Sequence, residues 1–278
     1  MVIMHSLVLL IATALLGAVG IQITDLRVPS VVRNNSGSAA LLDCDYTLKP
    51  EELAAHSYAG LVVKWYFNSS PSPVYQWIPG QKPQDLGILK GKLDLKHRSS
   101  DHGATMYRAL YIRNPTTELS GEYKCLVSTF DDEDFMTKKM VVFAPEKKLY
   151  VTWWKHDSGV VNITCIAQGV YPEPKMALYL GSKNKDSLKD VVVEVTKEHR
   201  CYDISATKVL DGTDVQATTM FVCELRIPEA NYMVTRSIVY YPGISHPLSE
   251  SGADDLHCRR IIVMMILLAL VSLSPAVW

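Results

Sequence analysis

Neither half of this chain has charge to spare. Residues 21–145 carry 14 Lys or Arg against 14 Asp or Glu, and residues 146–243 carry 12 against 12. A nucleic-acid partner requires a basic surface that replaces phosphate counterions, and no surplus exists to build one. A partner selected by bulk electrostatics is equally unsupported. The usual catalytic strings are missing as well: there is no G-x-S-x-G, no H-E-x-x-H, no phosphate loop and no dinucleotide fingerprint, and the eight histidines are scattered. A secreted enzyme, with a triad assembled only in space, is the remote alternative. No C-x-x-C pair argues for a thiolate metal site, and no low-complexity tract or heptad repeat argues for a rod. Asp131, Asp132, Glu133 and Asp134 stand together but lack the alternating ligands and glycine of a calcium loop, so they read as a solvated tip. No cofactor, metal or small-molecule substrate is expected.

What is present is a chain of 278 residues with short aromatic and β-branched runs punctuated by Gly and Pro, enough for about two strand-rich domains. Residues 1–20 open with the apolar run Leu7-Val8-Leu9-Leu10-Ile11 and close on Ala18-Val19-Gly20, small residues suited to signal-peptidase cleavage. An oxidising destination turns the six cysteines toward disulfides.

Cys44 lies on an alternating run, Trp65 sits in Leu61-Val62-Val63-Lys64-Trp65-Tyr66-Phe67, and Tyr123 precedes Cys125 by two residues. The ordered set Cys, Trp, Tyr-x-Cys describes strands B, C and F of an immunoglobulin sandwich. It places a first domain at 21–144 with a Cys44–Cys125 bridge. The 80 residues between those cysteines leave room for additional C′ strands, so the domain reads as variable-type, with Pro73-Val74-Tyr75-Gln76-Trp77-Ile78 as C′. Twenty residues separate Cys44 from Trp65, an enlarged B–C loop that includes Lys49-Pro50-Glu51-Glu52 and His56. Residues 126–143 read as an F–G hairpin with the acidic tip. Variable-type domains commonly carry an Asp four residues before the corner tyrosine, paired with an Arg; Leu119 stands there with Glu118 beside it, so the usual bridge is not expected.

Ala144-Pro145 is the only candidate linker, so the domains should abut. The second domain, 146–243, is read from Val161-Asn162-Ile163-Thr164-Cys165, Met176-Ala177-Leu178-Tyr179-Leu180 and Phe221-Val222-Cys223, with a Cys165–Cys223 bridge. Bridges closing loops this long contribute about 4 kcal/mol each in the chain-entropy model. This sandwich is constant-like and departs twice from the pattern. Strand C has no Trp, Met176 or Leu178 taking its place, and Phe221 replaces the corner Tyr. Trp153 and Trp154 precede strand B; one is expected in the core at the domain junction and the other partly exposed. Tyr171-Pro172 is a candidate cis peptide. The overall class is all-β, two tandem immunoglobulin-like sandwiches behind a cleaved signal.

A polar spacer at 244–260 leads to a hydrophobic end at 261–278. As a spanning helix it would have its basic residues, Arg259 and Arg260, on the wrong side. A lipid-anchor signal fits better, with Ser251-Gly252-Ala253 as the attachment site and Ser251 the attached residue. Cleavage there removes Cys258 and leaves Cys201 free, buried or intermolecular; a retained helix would allow a Cys201–Cys258 bridge. Sequons fall at Asn34, Asn68 and Asn162, while Pro115 excludes Asn114. The chain is expected on the outer face of the plasma membrane, lipid-anchored, or else freely secreted.

Several strings closely resemble the beaten path (Beat) family of neuronal immunoglobulin-superfamily proteins. These are Val62-Val63-Lys64-Trp65-Tyr66-Phe67-Asn68, Val74-Tyr75-Gln76-Trp77-Ile78-Pro79-Gly80, Leu86-Gly87-Ile88-Leu89-Lys90-Gly91, Gly169-Val170-Tyr171-Pro172-Glu173-Pro174-Lys175-Met176 and Arg226-Ile227-Pro228-Glu229-Ala230-Asn231-Tyr232. The likeness spans about residues 22–243. It implies a cell-surface or secreted protein of axon guidance and synaptic partner choice that binds Sidestep-type immunoglobulin receptors heterophilically. The adhesive surface expected of a variable-type domain is its C, C′, F, G face. With Trp65 inward, alternation turns Val62, Lys64 and Tyr66 outward, and with Cys125 inward it turns out Lys124, Leu126 and Ser128. Tyr66, Tyr75, Trp77 and Leu126 are therefore the candidate partner-binding residues.

Overall fold

A computed structural model of the chain describes residues 20–48, 58, 60–181, 187–244 and 246. Residues 1–19 of the expected leader, most of the enlarged B–C loop, Ser251, Cys258 and the hydrophobic end lie outside the described residues.

Period-two burial builds the first sandwich. One sheet pairs β1 (Gln22–Arg27), β3 (Ala40–Thr47) and β7 (Leu110–Ile112), with Leu93 bridging to Ile112. The other runs β2 (Val31–Arg33), β9 (Glu133–Phe143), β8 (Gly121–Ser128), β4 (Val62–Phe67), β5 (Tyr75–Trp77) and β6 (Gln84–Asp85). Among the described residues β2 alone pairs in parallel, against β9. The extra β5 and β6 beyond β4 are the C′ and C″ strands of a variable-type sheet. In β4 the alternation is strict, Val63, Trp65 and Phe67 being buried, and Cys44 bonds to Cys125 across the sheets.

The corner closes as the Tyr-x-Cys string implies: Tyr123 donates its hydroxyl to the Leu119 carbonyl at 2.9 Å, and burial pushes that hydroxyl's pKa well up. In place of the Asp–Arg bridge that Leu119 precludes, a Lys–Glu pair forms one residue earlier. Lys92 reaches the Glu118 carboxylate at 2.6 Å, and its hydrogen bond holds Glu118 below the usual carboxylate range. A second charged group is less expected. Asp43 sits at an outward position of β3 yet is only 7% exposed, because Arg108 grips both of its oxygens at 2.9 and 3.2 Å and Arg27 adds a 2.5 Å bond. Arg108 also bonds Asp45.

The second sandwich has one sheet of β10 (Lys148–Lys155), β11 (Val161–Val170), β14 (Cys201–Leu210) and β13 (Val192–Glu198). The other is β12 (Lys175–Leu180), β15 (Thr219–Ile227) and β16 (Tyr232–Tyr240). Among the described residues, four strands against three is the constant-type arrangement, with a single antiparallel bridge, Tyr179 to Ser187, on the free edge of β12. Cys165 bonds to Cys223, and Tyr171-Pro172 is cis. Leu178 lies opposite Cys223 where a strand C Trp would stand.

The tryptophan of this core comes instead from β10. Trp153 is 1% exposed, meets Tyr240 edge-on at 4.9 Å, and donates Nε1–H to the Val239 carbonyl at 3.0 Å. It lies toward the far end of β10, against the end of β16, and not at the junction where it was expected. The junction is filled by Phe143 against Tyr232, ring centroids 5.4 Å apart, with Val31 and Phe143 packed on the second core. Ala144 and Tyr171 exchange two backbone hydrogen bonds, and Lys139 pairs with Glu229 at 2.9 Å.

Candidate recognition face

The outer face of β4, β8 and β9 is decided by register. Lys64 lies opposite Leu126, and Tyr66 opposite Lys124. Across the next ladder Leu126 lies opposite Phe135 and Lys124 opposite Thr137. Directly opposed residues share a face, so Tyr66, Lys124, Leu126 and Phe135 form one contiguous patch. Lys124 Nζ stands 3.9 Å from the Phe135 ring centroid and 5.9 Å from that of Tyr66, which fixes the ammonium between two aromatic faces. Phe135 is 54% exposed; Tyr66, Lys124 and Leu126 are half-buried. A shallow depression of about 380 Å³ lies beside them, lined by Tyr66, Ser70, Pro71, Glu122 and Lys124 among others.

Two of the four sequence candidates do not belong to this patch. Tyr75 and Trp77 share one face, as alternation requires, but it is the inward one, and each is 2% exposed. The reason is register: Tyr75 lies opposite Trp65 and Trp77 opposite Val63, both core residues. Their polar ends differ: Trp77 Nε1 is buried with no hydrogen-bond partner among the described residues, whereas that of Tyr75 is satisfied. The Tyr75 hydroxyl donates to the Tyr107 carbonyl at 2.6 Å, beside bonds from Trp65 Nε1 to the Arg108 carbonyl and from the Tyr46 hydroxyl to the Ala104 carbonyl. Three aromatic residues thus clamp the segment 104–108. Trp77 stacks edge-on against Tyr107 and lines a separate cleft of about 750 Å³ with Tyr58, Leu95, Met106 and Tyr107.

Phe135 is the residue that sequence reasoning missed. Its signal was the hairpin itself: closing β8 onto β9 through residues 129–132 pairs Ser128 with Glu133 and carries Phe135 onto Leu126. The acidic tip at that turn is not merely solvated. Asp132 Oδ2 accepts the Ile21 N–H at 3.0 Å, and Asp134 Oδ2 accepts the Ile23 N–H at 2.8 Å. Phe130, 81% exposed, leans over Gly60. A Cβ there would meet the ring at 2.6 Å unless the ring swung away, and the φ of +79° favours glycine.

The other sequence candidates scatter. Asn68 follows β4 at φ +49°, exposed, with Oδ1 accepting the Glu122 N–H at 2.9 Å, so it borders the patch. Asn34 is half-buried next to β2. Asn162 on β11 holds its Nδ2 3.2 Å from His156 Nε2, opposite the exposed Trp154. Cys201, half-buried at the start of β14, is unpaired among the described residues. Among those residues no cluster of His, Cys, Asp or Glu is arranged to hold a metal ion, and no helix is long and apolar enough to cross a membrane.

No family model matches the chain. Among solved structures, bovine butyrophilin is 17% identical with a TM-score of 0.61, covering 80% of this chain and 98% of its own. The Rst D1-D2 structure is 14% identical with a TM-score of 0.52, covering 79% of this chain and 97% of its own. Both carry immunoglobulin-like domains, and at these identities the likeness speaks to fold: the chain is a tandem of two immunoglobulin-like sandwiches.

Proposed function

We propose that this chain is a cell-surface adhesion or guidance ligand that recognises an immunoglobulin-superfamily receptor on another cell through the outer face of β4, β8 and β9. The observation that carries the reading is the Tyr66, Lys124, Leu126 and Phe135 patch. An exposed and a half-buried aromatic grouped around a cation are among the residue types that dominate interface energy. The tandem immunoglobulin fold, shared with butyrophilin and Rst D1-D2, supports recognition over catalysis by fold-level analogy. The family resemblance supplies the finer identity: heterophilic binding to a Sidestep-type receptor in axon guidance and synaptic partner choice. Glycans at Asn34, Asn68 and Asn162 belong to the same reading, and one at Asn68 would limit approach from that edge of the patch.

Titration of the folded ectodomain against Sidestep-type receptor ectodomains tests the face. Phe135→Ala and Tyr66→Ala are each expected to weaken Kd by roughly tenfold or more, the size of a hot-spot truncation. Trp154→Ala, on the other sandwich, should leave it unchanged. Equal affinity for all three variants removes this face. Attachment through Ser251 is tested by a phosphatidylinositol-specific phospholipase on expressing cells: release supports the lipid anchor, retention a spanning helix, and constitutive appearance in the medium the freely secreted form.

A further inference from the structure

The first described residues of the chain are held by the acidic turn of the β8–β9 hairpin. Ile21 and Ile23 bury their side chains in the first core, at 6% and 2% exposure. Their backbone N–H groups point to two carboxylates of the β8–β9 hairpin, Asp132 and Asp134. Residue 20 lies against the same carboxylate. A Cβ built on Gly20 would fall 1.7 Å from Asp132 Oδ2 and 2.9 Å from its Cγ, so no side chain at that position is compatible with the Ile21–Asp132 bond. Residue 20 is also where the leader ends in Ala18-Val19-Gly20, with small residues at the two positions that signal peptidase reads.

We propose that cleavage of the Gly20–Ile21 peptide bond creates a binding group, the Ile21 α-ammonium, and that Asp132 is its receptor. In the step, water adds across the bond. The Gly20 carbonyl leaves as a carboxylate with the leader, and the Ile21 nitrogen takes up protons to become an ammonium. The single N–H donor of the precursor becomes a cation with three, in a position already at hydrogen-bond distance from a carboxylate, and a charge-assisted bond of this kind is roughly twice as strong as a neutral one. The acidic turn thereby gains a fixed counter-charge at Asp132. The ion pair seats β1 and the 129–132 turn together, three residues from Phe135 of the recognition patch. This inference rests on removal of the leader at Gly20 and not on any receptor.

The test uses the ectodomain secreted from cells. Mass spectrometry should find Ile21 as the first residue. Selective acylation of the α-amine near neutral pH should be slow in the wild-type protein and roughly ten- to a hundredfold faster in Asp132→Asn, the factor corresponding to a lost charged hydrogen bond. Should Asp132→Asn fail to fold, a leader redesigned to leave one alanine ahead of Ile21 is the second variant. It displaces the ammonium while keeping Asp132, and should melt at lower temperature with its α-amine freely acylated. A mature terminus elsewhere, or equal acylation rates in wild type and both variants, overturns the proposal. None of these readouts involves a receptor, so they stand or fall apart from the recognition face.

Discussion

The two sandwiches reach the same architecture with their largest side chains in different places. In the first, Trp65 of strand C lies beside the Cys44–Cys125 bridge and Tyr123 closes the corner. In the second, Leu178 and Phe221 occupy those positions, and the indole enters from β10 as Trp153. What is retained between them is a filled volume around a disulfide, with an indole N–H that finds a carbonyl. Which strand delivers the ring is free to change, because a close-packed core is sensitive to volume and hydrogen bonding more than to lineage of position. The first sandwich adds what the second lacks among the described residues, a buried charge, Asp43, under two arginines.

The sharpest way to break the comparison is at the tryptophans. If Trp153 does for the second core what Trp65 does for the first, Trp65→Ala and Trp153→Ala should each cost about 3–5 kcal/mol, each in its own domain. Hydrogen exchange followed at β8 and at β15 resolves which domain opens. A Trp153→Ala penalty below about 1 kcal/mol would deny the equivalence.

Next in size is the buried charge. Arg108→Met leaves Asp43 with Arg27 alone and should destabilise the first sandwich by about 3 kcal/mol at neutral pH, with the second unaffected. The pH dependence follows from the direction of the shift. Burial works to raise the Asp43 pKa, and the hydrogen bonds from Arg108 and Arg27 more than offset it, so the folded value lies below the unfolded one of about 3.9. The stabilisation is therefore complete above pH ~4 and is lost as pH falls through the folded value. Glu118, lowered by Lys92, acts in the same direction. Acid melting between about pH 5 and 2 should lower the first domain's transition more than the second's, and Arg108→Met should flatten that difference.

The smallest expected effect concerns the corner. Tyr123→Phe strands the Leu119 carbonyl in a buried site and should cost about 1–2 kcal/mol by chemical denaturation. In the second sandwich the carbonyl four residues before Phe221 belongs to Ala217, is exposed, and already accepts the Thr219 hydroxyl at 2.8 Å. Phe221→Tyr should therefore gain no stability, and a gain above about 0.5 kcal/mol would show that an unused acceptor remained.

Much of this was legible along the chain. Cys44, Trp65, Tyr123 and Cys125 fix strand identities because each side chain must occupy one place in a sandwich, and alternation correctly turned Tyr66, Lys124 and Leu126 outward in β4 and β8. Other features were not. Glu118 takes over the pairing role next to Leu119 because Lys92 comes within reach, and nothing local to Leu119 announces Lys92. Trp153 and Trp154 are equivalent neighbours in sequence until β16 supplies Tyr240 and Val239 to one of them.

The sequence by itself determined the two tandem sandwiches, their disulfide strands and the parity of each long strand, since these depend on patterns of period two and on residues with few alternatives. The tertiary structure alone decided which aromatics form a surface. Tyr75 and Trp77 share a parity, but parity does not say which side of a short strand faces the core; the register of β5 against Trp65 and Val63 turned them inward. Phe135 joined the patch through the register of β9 against β8, and Asp132 and Asp134 became partners of Ile21 and Ile23 because the hairpin packs against residues 21–23, contacts 111 residues apart in sequence that no local pattern encodes.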